Sequence, residues 1–179
     1  MKLKHRIRSV FEELKLKARV AAAAASAPWN GDITPTGRLY LTVHRHNGTV
    51  EEHGLVSTKV VTDAGVQAFV DALQGTFTIS NFKYHGSGTS STAEDVGNTT
   101  LGTEVASRAT GSQTEGAAAN VYRSVGTIAY SGTFAIVEHG LFSASSAGTL
   151  LDRSVFSAIN VVNGDSIQFT YDLTLPSGS

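Results

Sequence analysis

The sequence predicts a mainly β protein, built as an antiparallel β-sandwich or barrel of jelly-roll or immunoglobulin-like type, with one short packed helix and an N-terminal helical arm. Three observations lead to this prediction. Short strand-like runs recur from residue 38 to residue 175 and are separated by clusters of Gly and Ser. One internal stretch, residues 60–75, changes to a helical period. The N-terminal segment, residues 1–27, differs in composition from the rest of the chain.

Residues 1–27 are predicted to form a basic amphipathic arm, and residues 28–179 to form the β-sandwich body. The arm holds seven basic residues and two glutamates, so its net charge is +5; since the whole chain is −1, the remainder is −6. Pro28 ends the helical pattern. The basic residues are Lys2, Lys4, Arg6, Arg8, Lys15, Lys17 and Arg19. An apolar stripe at helical spacing consists of Leu3, Ile7, Val10, Phe11 and Leu14.

The stripe of the arm is expected to be covered by a partner, because an isolated helix of this length is marginal in water. The candidates are the body itself, a partner protein, a membrane surface or nucleic acid. The acidic body would repel nucleic acid, and binding to phosphates leaves the apolar stripe unexplained. We therefore expect a protein partner. No membrane contact and no cleaved signal peptide are expected.

The first element of the body is predicted to be a β-hairpin. Leu39, Leu41 and Val43 alternate with more polar residues, which predicts a strand with one buried face. Asn47-Gly48 lies between this run and the next one, and this dipeptide is typical of a two-residue hairpin turn.

A short helix is predicted next, within "VVTDAGVQAFVDALQG". Thr62 or Asp63 is expected to cap its start, and Gly75 fits just after its end. A stripe at helical spacing is expected to pack on the sheet, and it consists of Val66, Phe69, Val70 and Leu73.

Further strand-like runs complete the predicted body, at residues 76–84, 118–130, 133–142, 149–156 and 166–175. Between the first two lies a long stretch dominated by Gly, Ser, Thr and Ala. A loop of such length in a compact domain is usually functional or bound to a partner. We therefore expect this loop to matter for binding.

Composition and motifs argue against an enzyme. The chain has no cysteine, which excludes disulfides, thiol catalysis and iron–sulfur ligation. "GSGT" lacks the Lys and Ser/Thr that complete a phosphate-binding loop, and no G-x-S-x-G nucleophile motif occurs. No cofactor and no catalytic residue are predicted.

One metal-site hypothesis concerns the first hairpin, where His44, His46 and Glu51 could share a face. Three polar residues on the wet face of a hairpin are the ordinary arrangement of an antiparallel sheet. We therefore expect no metal.

The stretch "VEHGLFSASSAGTLLDRSVF" carries acidic, basic and histidine side chains. Glu138 and His139 are consecutive in a predicted strand, so they point to opposite faces and cannot act together on one substrate. With Phe142 opposite Thr149 in the hairpin, Glu138 lies opposite Arg153. We therefore predict an exposed cross-strand ion pair, contributing about 0.2–1 kcal/mol.

Four stretches, taken in order, resemble a family of tailed-bacteriophage structural proteins that attach to capsids, necks or tail fibres. They are "VVTDAGVQAFVDALQG", "YHGSGTSSTAEDVGNTTLGTEVASR", "VEHGLFSASSAGTLLDRSVF" and "VNGDSIQFTYDLTL". The matching residues are Thr99 or Thr100, Leu101, Glu104, Arg108, Glu138, Gly140, Leu141, Phe142, Gly148, Arg153 and Phe156. Ser87 departs from the pattern, and the basic arm is not a feature of the family as a whole.

The resemblance implies a non-enzymatic virion protein. The leading hypothesis is a capsid decoration (cement) protein on the outer surface of the head, made in the host cytoplasm and binding the major capsid protein and neighbouring copies of itself. A homotrimer is what the capsid setting implies. Two alternatives remain: a neck, tail or head-fibre component, and a stand-alone module that binds carbohydrate or nucleic acid.

Overall fold

The computed structural model describes residues 35–176, in which two antiparallel sheets pack face to face. The β-sandwich predicted from the sequence is therefore confirmed. The arm, every residue assigned to it above and its boundary at residue 28 lie outside the described residues.

The first sheet has the strand order β2-β1-β9-β6-β5, and the second has the order β4-β3-β7-β8. The strands are β1 (Thr36–His44), β2 (Val50–Val60), β3 (Tyr84–Gly88), β4 (Glu104–Thr110), β5 (Ser112–Glu115), β6 (Val121–Ala129), β7 (Phe134–Phe142), β8 (Leu150–Val161) and β9 (Ser166–Thr174). A helix, α1 (Asp63–Leu73), and a single 3-10 turn (Ile79–Asn81) join β2 to β3. Within residues 35–176, neither helix is long and apolar enough to cross a bilayer.

The sandwich core lies between the two sheets and is built from alternating strand positions. Leu39, Leu41 and Val43 of β1 are all buried, as predicted from their spacing. Across the interface, Ile136 and Leu141 of β7 belong to the same apolar cluster. The main driving force for the fold is the removal of these side chains from water.

The predicted first hairpin is present, but its turn is longer by one residue. The Arg45 N–H donates to the Thr49 carbonyl at 2.8 Å, which leaves three residues in the turn. Gly48 has φ +89°, a left-handed conformation that favours glycine. A three-residue turn that ends in such a glycine is the common alternative to the two-residue turn predicted from Asn47-Gly48.

Helix α1 begins and ends as predicted. The Thr62 hydroxyl accepts a hydrogen bond from the Gly65 N–H at 3.0 Å and donates to the Leu150 carbonyl at 2.6 Å, so the N-cap also ties the helix to β8. Gly75 follows the end of the helix with φ +75°.

The side of α1 that packs on β8 differs from the prediction. Gly65 and Ala68 are its buried residues, whereas Val66, Val70 and Leu73 are exposed. The predicted inward stripe is confirmed for Phe69, which packs against the core, and is wrong for Val66, Val70 and Leu73. The close approach of helix and strand admits only small residues: a Cβ on Gly65 would lie 2.7 Å from the Leu151 carbonyl oxygen.

Three strands are placed differently from the prediction. Residues 76–83 form no strand and contain the 3-10 turn, while β4, β5 and all of β3 after Tyr84 fall within the long predicted loop. The sequences "YHGSG", "EVASRAT" and "SQTE" contain only a few of the β-branched and aromatic residues on which strand prediction depends. The pairing of β3 with β7 and of β5 with β6 stabilises these strands in spite of their low intrinsic strand propensity.

Replacing Gly65 by Ala should destabilise the protein by about 1–3 kcal/mol, because the added methyl group collides with the backbone of β8. In an ordinary helix the same change stabilises by about 0.5–1 kcal/mol. Urea denaturation measures the difference, with Val66→Ala on the exposed side as the matched control. A more stable Gly65→Ala variant would contradict the close packing of α1.

Candidate functional site

The long loop of residues 89–103, called here the anchored loop, lies on the face of the second sheet opposite to the core. Successive residues of β7 point to opposite faces, so His139 and Leu141 enter the core while Glu138 and Gly140 face the loop. A second apolar cluster, separate from the core, covers this outer face: Leu101 of the loop, Phe142, Leu150 and the partly buried Tyr84. The loop is therefore a packed layer of the protein.

The Glu138 carboxylate closes the anchored loop by binding both of its ends. It accepts hydrogen bonds from the backbone N–H groups of Ser90 at 3.1 Å, Gly102 at 3.0 Å and Thr103 at 2.8 Å. Its side chain is fully buried. One carboxylate thus satisfies three backbone donors that the irregular loop would otherwise leave without partners.

Arg153 of β8 supports the same loop from beneath its middle. Its Nε donates to Glu138 Oε2 at 2.9 Å, and its Nη2 lies 2.8 Å from that oxygen. Its Nη1 donates to the Asn98 side chain at 3.1 Å and to the Ala93 carbonyl at 3.3 Å. With only 3% of its side chain exposed, Arg153 is the buried counter-charge of Glu138.

The predicted contact between Glu138 and Arg153 is present, but its register and its environment were wrong. Phe142 pairs with Leu150, which brings Gly140 opposite Arg153 and Glu138 opposite Val155, with two irregularities in the ladder. The ion pair is diagonal. It is also buried instead of exposed, because the anchored loop covers this face of the sheet.

The electrostatics of Glu138 follow from its donors. Burial alone would raise the pKa of the carboxyl, but the hydrogen bonds from Thr103, Gly102 and Arg153 outweigh burial and hold the pKa below its usual value. Glu138 is therefore ionised at neutral pH, and the loop is held by charge-assisted hydrogen bonds.

A second ion pair, Glu104 with Arg108, fixes the neighbouring turn between β7 and β8. Arg108 Nε and Nη2 donate to the two oxygens of Glu104 at 2.6 and 2.9 Å. Arg108 Nη1 donates to the carbonyls of Ala144 and Ala147, and its guanidinium stacks 3.3 Å above the Phe142 ring. This one side chain joins β4, the turn and the outer apolar cluster.

A bulge in β4 allows that second pair to form. His85 pairs with Ala109 and Ser87 with Val105, so the three residues 106–108 are opposite a single residue of β3. Ala106 has φ +62° within this bulge, which is uncommon for a residue with a Cβ. Residues four apart in a straight strand are separated by about 13 Å. The bulge shortens this separation and favours the two-point contact.

Gly140, the remaining motif residue, makes room for the outer cluster. A Cβ at this position would lie 2.8 Å from Leu150 Cδ1 and 3.0 Å from Leu101 Cδ2. Four of the residues behind the resemblance, Arg108, Glu138, Gly140 and Arg153, thus contact the anchored loop, its cluster or the adjacent turn, and Glu104 acts through Arg108.

A chain of polar side chains inside the core was missed by the sequence analysis. Ser124 Oγ lies 2.9 Å from His85 Nε2, and His85 Nδ1 lies 3.0 Å from His139 Nε2. The order of groups is that of a nucleophile, a base and an orienting residue, but all three side chains are fully buried. Without access for a substrate, this chain of groups is part of the packing between the sheets. The one available sequence signal was that His139 directly follows Glu138 in a predicted strand, so its side chain points to the opposite face of the sheet.

The second buried group that the sequence analysis missed is Asp152, where β8 faces the first sheet. Burial raises the pKa of its carboxyl to about 7, with the hydrogen bond from the Ser154 hydroxyl opposing the shift. Gly37 allows β1 to pass close by: a Cβ there would lie 2.5 Å from Asp152 Oδ2 and 2.9 Å from the Tyr171 hydroxyl.

The structure does not assemble the hypothetical metal ligands. Arg45 binds Glu51 through Nη2 at 2.6 Å and Asp165 through Nη1 at 3.0 Å, while His46 Nδ1 lies 3.0 Å from Asp165. Across residues 35–176, no group of three or more His, Asp or Glu side chains is arranged to hold a metal ion. The polar residues of this hairpin bind one another.

Comparisons with protein-family models, with curated proteins and with solved structures found no match for this chain. Function is therefore argued from the geometry. The motif residues stabilise a loop, and none of Glu104, Arg108, Glu138 and Arg153 lacks a partner.

Replacing Glu138 by Gln should destabilise the protein by about 3–5 kcal/mol, because Arg153 is left as a buried charge without its counter-ion. Urea denaturation gives the free energy of unfolding, and limited proteolysis within residues 89–103 reports opening of the loop. Glu104→Gln, in the more exposed pair, is the matched control and should cost less. If Glu138→Gln combined with Arg153→Met cost as much as the two single changes summed, the predicted coupling would be refuted.

The pH dependence of stability should contain two opposing contributions. Folded Asp152 keeps its proton to about pH 7, whereas the unfolded residue loses it near 3.8, so its contribution to stability decreases as pH rises through this window. Burial lowers the pKa of His85 to about 3, so its contribution decreases as pH falls below 6.5.

Replacing Asp152 by Asn isolates the first contribution. The stability of the variant relative to the wild type should increase from pH 5 to pH 8, by about 1.4 kcal/mol per pH unit up to pH 7. Urea denaturation at several pH values measures this, with Glu115→Gln on the exposed strand β5 as control. Parallel pH profiles for Asp152→Asn and wild type would rule out a buried carboxyl that titrates near neutrality.

Proposed function

We propose that this protein is a non-enzymatic structural component of a tailed-bacteriophage virion, and specifically a decoration or cement protein on the outer surface of the head. It acts as a rigid β-sandwich that adds contacts between capsid subunits, anchored partly by its N-terminal arm. Its partners are the major capsid protein and neighbouring copies of itself, in a homotrimer.

One observation carries this proposal: the charged residues behind the phage resemblance, together with Gly140, form one structural unit around the anchored loop and the adjacent turn. Glu104, Arg108 and Glu138 hold loop segments through buried or partly buried ion pairs. These ion pairs keep a surface loop in one conformation. A protein that binds its partner by shape complementarity needs such a fixed surface. The buried chain of Ser124, His85 and His139 likewise serves packing.

The charge distribution supports a protein partner for the arm. Four of the arginines of the body are already paired, namely Arg45, Arg108, Arg123 and Arg153. Residues 35–176 hold seven basic and twelve acidic side chains, so this part of the chain is acidic, whereas residues 1–19 carry a net charge of +5. An acidic body disfavours nucleic acid, and a basic apolar arm suits an acidic protein surface.

Cement activity needs only modest binding by each copy. A protein that binds the assembled shell and not its free subunits stabilises the shell by mass action. Many copies bind around a symmetric particle, so a small stabilisation by each copy adds up over the shell. An interface formed by an arm and one loop surface is therefore sufficient for cement activity.

Deleting residues 1–27 should leave the β-sandwich folded but abolish decoration and the thermal protection of particles. Imaging of intact particles with and without the protein measures occupancy and locates the protein. Phe11→Ala with Leu14→Ala should weaken binding more than loss of two basic residues, because burial contributes about 1.5–3 kcal/mol per large side chain and an exposed charge pair about 0–1.

Two results would count against the cement role, and a third would count against the arm as its anchor. A larger effect of the basic residues, with steep salt dependence and binding to free DNA, would favour a nucleic-acid module. Density at the neck, the tail or a head fibre would favour another position in the virion. Full occupancy by the arm-deleted protein would mean that the body docks by itself.

A further inference from the structure

The outward side of α1 is an apolar surface in an acidic setting. Val66, Val70 and Leu73 follow one another at helical spacing and are 45%, 42% and 90% exposed. Val96 of the anchored loop extends the surface, since it is exposed and its carbonyl accepts the Asp63 N–H at the start of α1. We call these four residues the α1 surface.

The segments that carry this surface contain carboxylates and no basic residue. Neither residues 60–82 nor residues 89–103 contain a single Lys or Arg, whereas together they contain Asp63, Asp71, Glu94 and Asp95. A second copy of the same surface would bring like charges together, which disfavours symmetric pairing of two α1 surfaces. The complementary partner is an apolar stripe flanked by basic residues.

Residues 1–19 of the chain have that composition. Their apolar residues recur at helical spacing from Leu3 to Leu14, and their net charge is +5. Nothing within residues 35–176 covers the α1 surface, so its occupant comes from outside this part of the chain.

We propose that the α1 surface is the docking site for residues 1–19 of a second copy of this chain, which bind there as a basic amphipathic helix. The contact is between two different surfaces, so it repeats from copy to copy and closes into a ring when the rotation permits. A trimer is one such ring. The inference is tested on the purified protein without any capsid, so its failure is distinguishable from failure of the virion proposal. In the virion, such an arm anchors each copy through the neighbouring copy, because one apolar stripe cannot also cover the shell.

Cross-linking tests this contact directly, because the chain has no native cysteine. Full-length protein with Phe11→Cys is mixed with isotope-labelled full-length protein with Val70→Cys and oxidised. Mass spectrometry then identifies the disulfide between residues 11 and 70 of different copies. The matched control replaces Val70→Cys by Leu55→Cys, a similarly exposed apolar site on β2.

The expected result is a yield for the Phe11–Val70 bridge several-fold above that of the control pair. Equal yields would overturn the proposal. So would a bridge that forms only within one chain of the doubly substituted Phe11→Cys/Val70→Cys protein, and at a rate that does not change on dilution.

Variants that keep the fold provide a second readout. Val70→Gln with Leu73→Gln should weaken self-association about tenfold or more, measured by sedimentation velocity. Val50→Thr with Leu55→Thr on β2 should not. Asp71→Lys should lower the cross-linking yield, whereas Glu115→Lys on β5 serves as the charge control. Unchanged self-association in the α1 variants, with circular dichroism like that of the wild type, would refute the docking site.

Discussion

The buried carboxylate of Glu138 is the group on which the arrangement of the second sheet depends. It receives three backbone N–H groups from the two ends of one loop and a guanidinium from the next strand. Taking two charges out of water costs several kcal/mol each, and only close pairing and full hydrogen bonding offset this. The cost makes the contact specific, because a loop in another conformation would leave Arg153 or Glu138 buried without partners.

Strand β7 transmits this constraint to both sides of the sheet. The position after Glu138 is His139, which stacks on Phe169 of the first sheet with ring centroids 4.6 Å apart. A register change that moved Glu138 away from the loop would also move a polar ring out of its place in the core. Gly126 lets the sheets approach there, since a Cβ would lie 2.5 Å from His85 Cδ2. The outer loop and the core therefore specify the same register.

Several patterns that extend over one element were read correctly from the sequence, and packing against a second element was not. The alternation of Leu39, Leu41 and Val43, the Thr62 cap and Gly75 are local features, and each took the predicted role. The inward face of α1 depended instead on its distance from β8, which selects Gly65 over Val66. Burial of the Glu138–Arg153 pair likewise depended on where a distant loop folds back, and no short pattern encodes that.

The orientation of α1 bears on why such a chain would assemble. A helix that turned its valines and its leucine inward would gain burial for the single chain, at about 1.5–3 kcal/mol for each large side chain. Here Gly65 and Ala68 are buried and Phe69 packs against the core, whereas Val66, Val70 and Leu73 face solvent. The segment has carboxylates and no basic side chain. Basic charge is concentrated instead at the other end of the sequence, beside a second apolar stripe. Apolar area and opposite charge are thus divided between two regions of the sequence, and each region carries the charge that the other lacks, which makes the two complementary.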